Sequence, residues 1–115
     1  MINQLVSALG KYRYLVGSEA ELQNAVAIAL KDAGVVFDRE RGLGRDRVDF
    51  FAQGVAIELK IDGSLSDVTR QLHRYAQHPE VTAVLLVTTR VLHDRMPPTM
   101  CGKPVRVLRV AGGTI

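Results

Sequence analysis

Apolar positions along this chain change their period several times, and each change marks an element. Ile2, Leu5, Val6 and Leu9 recur at helical spacing and predict a short amphipathic helix over 2–9, ahead of Gly10. Ser18-Glu19-Ala20-Glu21 is a capping box. Leu22, Val26, Ala29, Leu30 and Ala33 make one apolar stripe of the helix it starts, which runs to about Ala33 and stops at Gly34. Val35–Phe37 predicts a first strand, and the charged, glycine-punctuated stretch 38–47 predicts a loop. From Arg47 to Lys60, two strands rich in Val, Ile and Phe meet at Gln53-Gly54, a hairpin turn of the kind that places Gly second. Asp62-Gly63 turns the chain, and Ser64 or Ser66 caps a third helix that ends before Pro79, with Leu65, Val68, Leu72, Tyr75 and Ala76 as its stripe. Ala83–Val87 is unbroken apolar sequence suited to a strand covered on both faces. Arg90 to Met96 predicts a short helix, Pro97-Pro98 a break, Val105–Val110 a last strand, and the glycine-rich end a frayed tail. The order α-α-β-β-β-α-β-(α)-β predicts an α/β fold, a central mixed β-sheet flanked by helices. One domain over 1–115 is expected, with a core of about 18–110 and the helix 2–9 as an extension.

Composition narrows the function classes. Of the 115 residues, 47% are apolar and 23% charged, the balance of an ordinary globular protein. No apolar run approaches a membrane span and no signal-peptide layout opens the chain, so a cytoplasmic protein with no membrane partner is expected. Cys101 is the single cysteine, which excludes a disulfide framework and a thiolate cluster for zinc. The formal net charge of +3 leans towards a polyanionic partner.

The candidate chemistry sits in the hairpin. If Ala52 and Val55 flank the turn, antiparallel register sets Asp49 directly across from Glu58, on one face, with side chains roughly 4.5–5.5 Å apart. Two like charges there need compensation, which a hard divalent cation supplies through carboxylate oxygens. Strand alternation adds Lys60 to that face, while Ile57, Leu59 and Ile61 point into apolar packing. Glu21 has a capping job, whereas Glu19 heads the inward stripe of its helix; it either favours the helix dipole or leans over the sheet towards the carboxylate pair. Gln71 flanks the stripe of the third helix one turn before Tyr75. Arg41, Arg45 and Arg47 in the basic stretch either hold phosphates or form a solvated loop partly neutralised by Asp38, Glu40 and Asp46. Lys11-Tyr12-Arg13-Tyr14 either lines a nucleic-acid groove or is a plain connector. His73, His78 and His93 lack mutual ligand spacing, so surface or capping roles are expected.

Taken together, Glu19, then Asp49 followed by Glu58-Leu59-Lys60, then Gln71 with Tyr75, resembles the PD-(D/E)XK nuclease superfamily over roughly residues 18–88. Val48 stands where the family signature has Pro. The resemblance implies a restriction-endonuclease-like αβββαβ core and a Mg²⁺- or Mn²⁺-dependent deoxyribonuclease, with structure-selective endonuclease action. It further implies Asp49 and Glu58 as main metal ligands, Glu19 as an additional one, and Lys60 as the group that orients the attacking water and stabilises charge on the phosphate. Gln71 would support the site, and Tyr75 would join the basic residues in contacting DNA. A homodimer cutting two strands, as in junction resolvases, and a phage-like setting fit the same family. The rival is a catalytically inactive module of this fold that binds nucleic acid or protein.

Overall fold

In a computed structural model that describes residues 1–14 and 17–111, the sheet has two apolar faces, each covered by helix. The elements are α1 (Ile2–Gly10), α2 (Glu19–Asp32), β1 (Asp38–Leu43), β2 (Asp46–Ala52), β3 (Val55–Lys60), α3 (Leu65–Ala76), β4 (Ala83–Thr88), a 3-10 turn (Val91–Arg95), β5 (Thr99–Met100) and β6 (Lys103–Arg109). Six described strands form one mixed sheet in the order β1-β2-β3-β4-β6-β5. The β1–β2, β2–β3 and β5–β6 pairs are antiparallel; β3–β4 and β4–β6 are parallel. The glycine-rich tail expected to fray lies, from residue 112, outside the described residues.

Side-chain parity builds the layers. Val55, Ile57 and Leu59 of β3 and Ala83, Leu85 and Val87 of β4 enter the core under α1 and α2. The intervening Ala56, Val84 and Leu86 enter the core under α3. Strands buried on both faces read as unbroken apolar sequence, and every residue of β4 is buried. Ser18 caps α2 by accepting the Glu21 N–H at 3.1 Å, and Ser64 caps α3 by accepting the Asp67 N–H at 3.1 Å.

Three expectations need correction. Val35–Phe37 is not a strand, and the supposed loop 38–47 is a hairpin: β1, a turn at Gly44-Arg45, and the start of β2. Its charges belong to an edge strand, where they discourage further strand pairing. The two-residue β5 had no periodicity from which it could be read. His93, expected at the surface or as a cap, is wholly buried; Thr88 Oγ1 lies 2.6 Å from its Nδ1 and the Gly63 carbonyl 3.0 Å from its Nε2. Because the Thr88 oxygen also accepts the Arg90 N–H at 3.0 Å, its proton goes to Nδ1 and Nε2–H donates to Gly63. The histidine thus ties the chain after β3 to the end of β4.

Candidate active site

Gln53 (φ 47°) and Gly54 (φ 87°) are both left-handed, as a type I′ turn requires, and Ala52 pairs with Val55. The register is therefore the one that opposes Asp49 and Glu58. Ladder pairing stops at Phe50–Ile57, however, and alternation breaks at Asp49, since Val48 packs on the α3 side and Phe50 on the α2 side. Glu40, which stands opposite Asp49 on β1, has φ 50°. Pairs on either side of this point keep one register, so no residue is inserted and the strands twist locally. The simple picture of two acids standing on one face changes accordingly. Asp49 lines a small recess with Glu19, Ala20 and Gln23 of α2, and its Oδ2 accepts the Leu59 N–H at 2.8 Å. Glu58 turns to α3.

There Gln71 Nε2 donates to Glu58 Oε2 at 3.1 Å and to the Tyr75 hydroxyl oxygen at 2.8 Å. The Tyr75 hydroxyl proton is shared between Glu58 Oε1 at 3.0 Å and the Arg47 carbonyl at 3.1 Å. Lys60 Nζ stands 3.4 Å from Glu58 Oε2. A carboxylate only 4% exposed is thus held by one amide, one phenol and one ammonium. Lys60 lies at the C-terminal end of β3, its last paired residue against β4, where the crossover into α3 begins. In open parallel sheets that end is where ligands are received. A cleft of about 340 Å³ opens there, lined by Glu19, Lys60, Asp62, Gly63, Val68 and Gln71, among others.

Electrostatics single out the acid pair. Burial first, then the neighbouring Asp49 charge, raises the Glu58 carboxyl to about 7, against the opposing pull of Lys60 and the Tyr75 hydroxyl. Asp49 is also raised, chiefly by burial and next among the raising causes by Glu19, while the Leu59 N–H holds it back. Near neutrality Glu58 is thus poised between its two protonation states, and perturbation of this kind is frequent at functional sites. Burial and the Glu58 charge likewise push the Tyr75 phenol far up, so it remains a donor.

Among the described residues, no three His, Cys, Asp or Glu side chains come together as a ready metal group, so Glu19 is not gathered with Asp49 and Glu58 into a three-acid cage. The donor chemistry nonetheless suits magnesium, which is habitually held by one or two carboxylates, with waters and substrate phosphate filling its remaining positions.

The remaining candidates separate. Glu19, although exposed, borders both the cleft and the Asp49 recess. Arg41 is engaged by Asp38 and Glu80, each at 3.2 Å, and lies 4.6 Å over the Phe51 ring. Arg45 and Arg47 are exposed on the β1–β2 hairpin. Lys11 and Arg13 are exposed too, but Tyr14 is buried and donates to the Leu9 carbonyl at 2.7 Å, so that segment is in part a structural connector. Sequence reasoning missed Asp62, Gly63 and Asp67 as cleft walls, because only the tertiary crossover brings them to Lys60. No helix among the described residues is long and apolar enough to cross a membrane. No family model matches this chain, nor does any curated protein or any solved structure.

Proposed function

We propose that this protein is a metal-dependent nuclease that hydrolyses DNA phosphodiesters, built on a restriction-endonuclease-like core. The observation that carries the proposal is the buried Glu58, braced by Gln71 and Tyr75 and flanked by the cleft-lining Lys60, coupled to the half-buried Asp49. Acids raised by burial and by a neighbouring carboxylate's charge cluster at functional sites, and a bound cation would relieve that repulsion. Asp49 and Glu58 would hold Mg²⁺ or Mn²⁺, and bound metal supplies charge stabilisation at the phosphate and a lowered pKa for water.

The chain's own groups set the rest. Gln71 and the Tyr75 hydroxyl hold the Glu58 carboxylate in one orientation, behind the cleft wall that Gln71 and Lys60 form. The Leu59 N–H fixes Asp49 in the same way. Lys60, with its side chain 21% exposed, is close enough to the cleft to direct its ammonium at a phosphate oxygen and to orient the attacking water. Glu19, which also lines the cleft, would serve as an additional metal ligand or hold a water. The exposed Arg45 and Arg47 offer sequence-independent contacts to the backbone, which suits structure-selective cutting. The second reading, a non-catalytic nucleic-acid-binding module, is favoured by one observation, the lack of a gathered three-acid group.

The test is cleavage of supercoiled plasmid, linear duplex, single strand, flap and four-way junction with Mg²⁺ or Mn²⁺, comparing wild type with Lys60→Ala and Asp49→Asn. Metal-dependent cutting that disappears in both variants supports the nuclease. Cutting that persists in Asp49→Asn refutes it, and folded protein that neither cuts nor gains thermal stability from metal favours the module.

A further inference from the structure

Half of β2 stands away from the sheet. Among the described residues its ladder with β3 ends at Phe50–Ile57, so Asp46, Arg47 and Val48 pair along their backbone with β1 alone. The position of this half therefore depends on what ties it to α3. Leu43 and Val48 pack beneath that helix, but apolar burial has no preferred direction. Direction comes from polar contacts. Asp46, its side chain 19% exposed, accepts Arg74 Nε on Oδ1 at 3.1 Å and sets Oδ2 3.3 Å from His78 Nε2. The next residue, Arg47, offers its carbonyl to the Tyr75 hydroxyl at 3.1 Å.

The helix side of this lock is itself fixed. Lys103 of β6 donates to the Ala76 and His78 carbonyls at 2.7 and 2.9 Å, which caps the end of α3 and ties it to the sheet. The His78 ring is seated against the hairpin turn: a Cβ on Gly44, at φ 60°, would stand 2.9 Å from its Cε1. With the helix end held, releasing Asp46 shifts the hairpin rather than α3. Both acids of the site feel such a shift. Asp49 belongs to the same half of β2, and its Oδ2 accepts the Leu59 N–H at 2.8 Å. Glu58 accepts the Tyr75 hydroxyl, whose other acceptor is the Arg47 carbonyl.

We propose that Asp46 is a positioning residue of the cation site: held by Arg74 and His78, it sets where the free half of β2 stands, and through it the place of Asp49 and the Tyr75 brace on Glu58. Resting on the nuclease proposal, in which those two acids hold the cation, the lock gives Asp46 a task at a distance from the metal. Groups that orient metal ligands without touching the ion govern affinity strongly. The competing role for Asp46 is electrostatic, a negative charge that attracts cations towards the site. Position and charge differ in sign on the helix side of the lock. Removing the cationic partners Arg74 and His78 would strengthen cation binding if charge alone mattered. It weakens binding if position does.

The test compares wild type, Asp46→Ala, and Arg74→Ala combined with His78→Ala, which reaches the same lock from the helix and does not depend on the first variant's folding. Mn²⁺ binding is read without nucleic acid, from the loss of the free ion's paramagnetic resonance signal. Both variants should bind Mn²⁺ about tenfold more weakly than wild type. In metal-free protein the Leu59 amide, whose acceptor is Asp49, should exchange several-fold faster in both, while the amides of β4 keep their rates. That local change separates a displaced Asp49 from a general loss of stability. Weaker binding in Asp46→Ala with stronger binding in the helix-side variant overturns the proposal in favour of charge. Wild-type affinity, or an unmoved Leu59 amide, in a folded variant overturns it and leaves the cation site standing. A wild type that neither binds Mn²⁺ nor cuts any substrate overturns both proposals.

Discussion

Replacing Glu58 by Gln removes the proton from the centre of the site while keeping its shape, and stability should register the change with a definite sign. In metal-free protein the Glu58 carboxyl titrates near 7, against 4.5 in the unfolded chain. Between those values the folded protein keeps a proton that the unfolded chain has released. Stability is therefore highest below the unfolded value, falls as pH rises through the window, and is level above it. At about 1.36 kcal/mol per pH unit, the wild type loses about 3 kcal/mol on the way to neutrality. Glu58 is almost fully buried, so screening by solvent takes little from this figure. The amide of Glu58→Gln does not titrate. Its oxygen can accept from Gln71 and Lys60, and its nitrogen can donate to the Tyr75 oxygen, so the brace survives. The variant should match or trail the wild type near pH 5 and lead it by about 3 kcal/mol near pH 8, roughly 10 °C in Tm for a chain of this size. Thermal and urea unfolding in EDTA, followed by circular dichroism across that range, measures the gap. Because the Asp49 charge is coupled to the Glu58 titration, the gap belongs to the pair. A gap that stays constant with pH would refute the argument, since it would mean that folding does not raise the Glu58 carboxyl.

Excess Mg²⁺ should raise the Tm of wild type by mass action and leave that of Glu58→Gln nearly unmoved, as scanning calorimetry would show. Tyr75→Phe removes a hydroxyl that serves both Glu58 and the Arg47 carbonyl; a loss of about 1–3 kcal/mol is expected, and the pH midpoint should move up because that hydroxyl holds the Glu58 carboxyl down. Gly54→Ala should cost about 1–2 kcal/mol from its left-handed backbone alone, with a further contribution from the 2.6 Å approach of a new Cβ to Thr82 Oγ1. Gln53→Asn, at φ 47°, should instead gain up to about 1 kcal/mol, and chemical denaturation separates the two signs. His93→Ala leaves the Gly63 carbonyl without its donor and the Thr88 hydroxyl proton without its acceptor; a cost on the order of 3 kcal/mol is expected, with faster amide exchange at Asp62 and Gly63 than in the sheet.

Local rules carried much of this fold into the sequence. Two serines fixed the helix starts, a Gln-Gly turn fixed the hairpin register, and the doubly covered β4 announced itself as an unbroken apolar run. Turn type alone set the hairpin register from Ala52–Val55 to Phe50–Ile57, and helix phase put Gln71 beside the docking face of α3, whereas Glu19, read onto the inward stripe of α2, is exposed. Where local rules ran out, the cause was long-range packing. Edge strand β1 is made of charged residues with no apolar alternation, so it read as a loop until β2 supplied its hydrogen bonds. The alternation breaks at Asp49, opposite Glu40 with its φ of 50°, and there Asp49 lines a recess with α2 while Glu58 is held by α3. His93 gave no sign of burial because both its partners, Thr88 and the Gly63 carbonyl, come from other segments. The sequence by itself determined which side chains carry charge and on which phase of which element they stand. The tertiary structure alone decided how far each is desolvated and which neighbours share its proton, because burial and Coulomb interactions depend on distances through space that the order of residues does not contain.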